Sequence, residues 1–97
     1  MVERLAAADV LQHLVQDRAW HRALASLSDH LAADGLFVIL DCMSEEFRSK
    51  DVHCNRRSLA RYAVVLDTLG LRVVEHERFR LEPEGVTKDL LAIRRTR

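Results

Sequence analysis

The sequence predicts an α/β domain: a sheet of parallel strands that ends in an antiparallel hairpin, with helices packed on the sheet. Three observations carry this expectation. From Arg18 to Ala33, apolar residues recur at three- and four-residue spacing, the stripe of an amphipathic helix. The run "LFVIL" at Leu36–Leu40 follows at once, continuous in apolar and β-branched side chains, as in a strand covered on both faces. Further on, Leu71–Leu81 and Asp89–Arg95 read as strands joined by the turn "EPEGVT". Helices alternating with strands favour parallel pairing, and two strands joined by a turn favour a hairpin.

Taken in order, residues 2–8, "VERLAAA", admit either a short strand or a helix, because the alanines favour helix while the segment is apolar enough to pair. Asp9 can cap a short helix over Val10–Gln16, with Leu11, Leu14 and Val15 on one side. Asp17 reads as the N-cap of the helix Arg18–Ala33, whose stripe is Trp20, Ala23, Leu24, Leu27 and Leu31. "ADG" at Ala33–Gly35 closes that helix, with Gly35 free to take a left-handed conformation. Cys42–Asn55 is polar and without period, so it reads as a loop, and a long loop in a small domain is commonly functional. Ser58 starts a second helix with the stripe Leu59, Tyr62, Ala63, Leu66 and Leu69, and Gly70 stops it. In Leu71–Leu81 the residues Leu71, Val73, Phe79 and Leu81 share parity and so one face. Trp20 and Tyr62 sit within apolar stripes and read as core.

The totals restrict the function. A chain of 97 residues makes one domain, and 48% apolar residues suffice for a modest core. Fifteen basic residues balance fifteen acidic ones, so no excess charge points to nucleic acid or to an anionic membrane surface. No apolar run approaches the ~18 residues of a membrane span, and the N-terminus lacks a signal-peptide core, so a cytoplasmic protein is expected. Cys42 and Cys54 read as free thiols. The histidines form no metal-binding motif; His53 beside Cys54 makes a poor chelate, and no metal site is expected.

Three stretches together are familiar: "ADVLQHLVQDRAWHRALASLSDHLAADGLFVILD", "HCNRRSLARYAVVLDTLGLRVV" and "DLLAIRRTR". Their order and spacing resemble the C-terminal half of a class I S-adenosylmethionine-dependent methyltransferase over roughly residues 4–95. The first stretch is similar to that family's fourth strand, the following helix and the fifth strand. The middle stretch resembles the next helix and the sixth strand, and the last resembles the seventh strand, which returns antiparallel. The resemblance implies a partial Rossmann-like sheet, with residues 1–97 forming one truncated domain. Glycines stand only at 35, 70 and 85, so the family's glycine-rich loop, where the backbone approaches the cofactor closely, is absent together with the ribose-binding acid. The expected chain therefore lacks the N-terminal, cofactor-binding half.

By the same resemblance, the loop after the fourth strand closes over the methionine part of S-adenosylmethionine and faces the acceptor. This makes Ala8 and Asp9 cofactor contacts, Gln12 an acceptor contact and His13 a proton acceptor, as an imidazole can be near neutral pH. Asp41 ends the fifth strand, where open α/β sheets bind ligands. His53 and Arg57 fall where the family's mobile segment meets the acceptor, with Arg57 able to pair with an acidic substrate. Each has a plainer reading beside it: Asp9 as a helix cap, His13 as a solvated histidine, Asp41 as the acid that opens a loop, Arg57 as a solvated loop arginine. The resemblance implies methyl transfer to a small-molecule acceptor once a cofactor-binding half completes the chain. The alternative is a catalytically inactive methyltransferase-like remnant that serves as an interaction or regulatory module. Either way the first strand would be an open edge, so a homo-oligomer or a partner supplying the missing half is expected.

Overall fold

The computed structural model describes residues 1–43 and 55–96, together with the backbone of 47–48. The elements are β1 (Val2–Ala8), a single 3-10 turn (Leu11–His13), α1 (Asp17–Asp29), β2 (Leu31–Asp41), β3 (Phe47–Arg48), β4 (Asn55–Arg56), α2 (Leu59–Thr68), β5 (Leu71–Leu81) and β6 (Val86–Arg95). The main sheet has the order β1-β2-β6-β5, and β3 and β4 form a separate pair. β1 runs parallel to β2, while β6 is antiparallel to both of its neighbours. This is the expected α/β sheet with its closing hairpin. No helix among the described residues is long and apolar enough to cross a membrane.

Tertiary pairing decides the segments that local propensity leaves open. "VERLAAA" is a strand because β2 offers it a partner from Arg4↔Leu36 to Ala8↔Leu40. The same pairing shortens α1. The apolar stripe extends to Leu31, yet the helix ends at Asp29, and the His30 carbonyl accepts from Val2 N at 2.6 Å. Leu31 then opens β2 and is fully buried. Gly35 is therefore not a left-handed helix stop. It lies inside β2, where a Cβ would stand 2.7 Å from Leu31 Cδ1 and 3.1 Å from the Glu3 carbonyl oxygen, so a side chain is excluded by close approach.

Two expected caps also differ. Gln16 is the N-cap of α1, and Asp17 is its first-turn acid, bonded to arginines from the segment around α2. Asp9 caps nothing: Val10–Gln16 forms only the 3-10 turn at Leu11–His13, which has no side-chain cap. The second helix follows expectation. Ser58 accepts from Arg61 N at 3.3 Å, and Gly70 takes φ +73° just beyond the C-cap.

Register separates the two faces of the sheet. On one face run the rows Leu5–Phe37–Ile93–Val73 and Ala7–Ile39–Leu91–His76. Trp20 and Leu24 of α1 and Tyr62 and Leu66 of α2 pack here in one core cluster, with the Trp20 and Tyr62 rings edge-to-face at 5.0 Å. On the other face run Ala6–Val38–Ala92–Glu75 and Ala8–Leu40–Leu90–Glu77. Ala6 and Ala8 are exposed, and Leu36, Val38, Leu40 and Leu90 only half-buried. "LFVIL" thus carries apolar side chains to both faces, while the described helices cover one. A bulge between Val73 and Glu75 reverses the parity of β5. Phe79 and Leu81 accordingly lie opposite in facing to Leu71 and Val73, contrary to the shared face expected, and His76 and Arg78 join the helix-covered side.

Candidate functional site

The C-terminal ends of β1 and β2 and the start of β6 meet at one end of the sheet, the end where open α/β sheets hold ligands. Three of the residues singled out from sequence, Ala8, Asp9 and Asp41, gather there. Ala8 ends β1 with its methyl group exposed. Asp9 follows at φ +57°, a left-handed conformation that costs a non-glycine residue ~1 kcal/mol. Two contacts hold it: its N–H donates to the Leu40 carbonyl at 2.9 Å, and its carboxylate pairs with Lys88 of β6. Burial works against the Lys88 ammonium, but the Asp9 carboxylate and Cys42 together outweigh it and hold the Lys88 pKa above its ordinary value. In the following 3-10 turn Gln12 is buried and His13 exposed.

Asp41 is 2% exposed. Its Oδ1 accepts from Cys42 N at 2.9 Å, and its Oδ2 accepts from Tyr62 Oη, also at 2.9 Å. Burial pushes its pKa up, ahead of the opposing pull of these two donors, and burial likewise raises the Tyr62 phenol. Directly across the β2–β6 ladder lies Asp89, also buried. Its Oδ2 accepts from Met43 N at 3.0 Å, while Oδ1 sits 2.7 Å from both His76 Nε2 and Arg78 Nε. Burial presses the Asp89 pKa upward, but His76, Arg78 and the Met43 N–H overcome it and hold it low. The two acids thus fix the backbone of Cys42 and Met43, the root of the segment after β2.

The far root of that segment is fixed as firmly. Asn55 donates through Nδ2 to the Val15 carbonyl at 2.9 Å. Arg57 is not a solvated loop arginine: its side chain is wholly buried, with the guanidinium 4.5 Å over the Trp20 ring. It donates to Asp17 Oδ1 at 3.0 Å, Leu14 O at 2.8 Å, Val15 O at 3.2 Å and Asn55 O at 3.3 Å. Those donors face inward, so the structure does not bring Arg57 to the strand ends with Ala8 and Asp9. The guanidinium of Arg57 foremost, with Arg61, holds the Asp17 carboxyl below its usual range. His53 and Cys54 lie outside the described residues.

Known proteins share this architecture. No protein-family model and no curated protein sequence matches the chain. Solved structures do. The mitomycin 7-O-methyltransferase MmcR superposes with a TM-score of 0.73 at 20% identity, covering 99% of this chain and 30% of its own. The 1,6-didemethyltoxoflavin-N1-methyltransferase of Burkholderia thailandensis, solved with S-adenosylhomocysteine, gives 0.77 at 20% identity, covering 95% of this chain and 44% of its own. The fold is that of part of a class I S-adenosylmethionine-dependent methyltransferase. A pericyclic reaction enzyme matches as well, with a TM-score of 0.74 at 12% identity over 97% of this chain and 26% of its own. The methyltransferase fold therefore does not dictate one reaction. This chain spans less than half the length of each of these three structures.

The residues present do not make a complete seat for the cofactor of those enzymes. Close approach to a nucleoside calls for backbone without side chains, and the three glycines stand elsewhere: Gly35 early in β2, Gly70 behind α2, and Gly85 in the β5–β6 turn, where Arg80 Nη2 is 2.7 Å from any Cβ. Sequence reading missed Lys88, Asp89, His76 and Arg78. The "KD" at Lys88–Asp89, near the start of β6, mirrors the "LD" that ends β2, which was a readable signal. The pairing of His76 and Arg78 with Asp89 was not readable, since the β5 bulge creates it.

Proposed function

We propose that this chain is the acceptor-side half of an S-adenosylmethionine-dependent methyltransferase, acting on a small molecule when a cofactor-binding half completes it. One observation carries the reading: 95–99% of the chain superposes on 30–44% of two methyltransferases, while one apolar sheet face and the β1 edge have no covering layer among the described residues. The missing half fits both places: a strand beside β1, and a layer over Val38 and Leu40. In the completed site Ala8 and Asp9 meet the cofactor and His13 faces the acceptor. Asp41 and Asp89 act as anchors: by holding Cys42 and Met43 they position the acceptor wall. Methyl transfer asks mainly for alignment and exclusion of water.

A chimera tests the reading. The chain of the 1,6-didemethyltoxoflavin methyltransferase is kept up to the strand equivalent to β1 and continued with this protein from Val2. A folded chimera, judged by circular dichroism, is expected to bind S-adenosylhomocysteine in calorimetry, whereas this chain alone gives no heat. A folded chimera without binding overturns the proposal and leaves an interaction module built on the same scaffold.

A further inference from the structure

The sheet face that the helices leave bare has its charge sorted along the strands. The middle is apolar: Leu36, Val38 and Leu40 of β2 are half-buried, and Leu90 of β6 lies beside Leu40. Toward one end, Arg4 stands beside Leu36, and Arg72 beside Arg94. Toward the other, on β5, Glu75 lies opposite Ala92 and Glu77 opposite Leu90. These three arginines and two glutamates are exposed, and none forms an ion pair among the described residues. Arg94 donates only to the backbone carbonyls of Asp34 and Gly35. Beyond the glutamates, Lys88 is already neutralised by Asp9. A face with a basic end, an apolar middle and an acidic end complements a copy of itself whose strands are reversed.

We propose that this face binds a second copy of the chain, as a two-fold pair of sheets packed face to face. Sheets packed in this way lie ~10 Å apart, with strand directions within ~30° of each other. With the strands reversed, Leu36, Val38 and Leu40 of one copy meet Leu40, Val38 and Leu36 of the other. Along the outer strands Arg72 of one copy meets Glu77 of the other, twice by symmetry. Glu75 stands over its own counterpart at the rim, ~10 Å away in solvent, where screening leaves little repulsion. With the strands running the same way, Arg72 would stand over Arg4, and both glutamates over Ala6 and Ala8, so charge selects the reversed arrangement. The pair occupies the face that a completing half would cover, so the two states exclude each other. The pair itself does not rest on the methyl-transfer reading.

Sedimentation equilibrium tests the pair. Expected for the wild type is a monomer–dimer equilibrium. Arg72→Glu and Glu77→Arg each change an exposed residue of the edge strand and turn two attractions into two repulsions. Each alone is expected to weaken the dimer about tenfold or more with circular dichroism unchanged, and the two together to restore it to within about threefold. Restoration inside one chain is ruled out, because residues five apart on a strand stand about 16 Å apart. Val38→Lys, in the apolar middle, is expected to weaken the dimer about tenfold or more, and Val64→Lys, exposed on α2, to leave it unchanged. A monomer throughout, assemblies beyond the dimer, a single exchange or Val38→Lys without effect, a double exchange that restores nothing, or dissociation by Val64→Lys each overturns the proposal.

Discussion

Asp41 and Asp89 face each other across the β2–β6 ladder, both buried, yet amidation is expected to affect them to different extents. In Asp89→Asn, the amide oxygen can stay with His76 and Arg78, which turns the amide N–H toward Met43 N and leaves that buried donor unpaired. An orphaned buried donor costs ~1–3 kcal/mol, and two charge-assisted bonds fall to neutral strength, discounted because Arg78 is 45% exposed. The sum is about 3 kcal/mol, or ~12–24 °C in Tm for a domain of this size. In Asp41→Asn, the amide oxygen keeps Cys42 N, and the Tyr62 hydroxyl rotates to accept from the new amide N–H. The Tyr62 proton then loses its buried acceptor, at ~1–3 kcal/mol, but a charge that burial disfavours is gone, and this offset leaves the net loss at about 1 kcal/mol.

The pH dependence separates the two acids further. Burial raises the folded-state pKa of Asp41, so the native state binds the extra proton. The Asp41 contribution to stability therefore falls as pH rises from the ordinary aspartate value, ~4, through the raised one, and Asp41→Asn escapes that loss. Asp89 is held low, so its contribution is present above ~4 and lost as pH falls through its folded pKa; the Asp89→Asn deficit is largest at neutral pH and shrinks in acid. Urea unfolding followed by Trp20 fluorescence at about pH 7 and about pH 3 brackets the ordinary aspartate value and measures both. An Asp41→Asn variant as destabilised as Asp89→Asn at neutral pH, or two variants with the same pH slope, would refute the reasoning.

Arg57→Met removes the donors to Leu14 O and Asn55 O and is expected to lower stability by ~3 kcal/mol, read as the urea midpoint; Arg57→Lys does not restore it, because one ammonium cannot serve four acceptors in a fixed fork. Gly70→Ala faces only the cost of φ +73° with open space around it, ~1 kcal/mol, whereas Gly35→Ala drives a methyl into Leu31 and the Glu3 carbonyl and is expected to cost ~1–3 kcal/mol; thermal melts that reverse this order contradict the packing described. Size exclusion with light scattering is expected to show association of the wild type at high concentration and less of it in Val38→Lys, which puts a charge on the bare sheet face; a wild-type monomer throughout would remove the argument for a partner.

What could be read in the sequence tracks how local its cause was. α2 is set by neighbours in the chain, the Ser58 cap and the glycine stop at 70, and both were legible. The end of α1 was not, because Leu31 fits a helical stripe as well as a buried strand position, and the choice falls to β1, about thirty residues earlier. Asp9 shows the same limit. An aspartate before a short apolar run suggests a cap, but Lys88, 79 residues away, takes its carboxylate. Arg57 misleads for a related reason: an arginine in a polar stretch looks solvated until Trp20 and the carbonyls of Leu14 and Val15 are seen to enclose it.

The same facts bear on what the strand ends can contribute to a reaction. On the helix side, Asp41 and Asp89 spend their oxygens on backbone N–H groups, a phenol, an imidazole and a guanidinium. On the bare side, the Asp9 carboxylate and the Lys88 ammonium neutralise each other. A reaction needing a strong base or a nucleophile would have to break one of these sets, at a cost of several kcal/mol for a buried charge left alone. A reaction that asks only for backbone held in place needs none broken, because Asp41 and Asp89 hold Cys42 and Met43, and Asn55 and Arg57 hold the carbonyls of Leu14 and Val15. Methyl transfer from a sulfonium is of the second kind, which is why the proposed role assigns this chain the acceptor wall and leaves His13, which is exposed, as the one proton acceptor named for it.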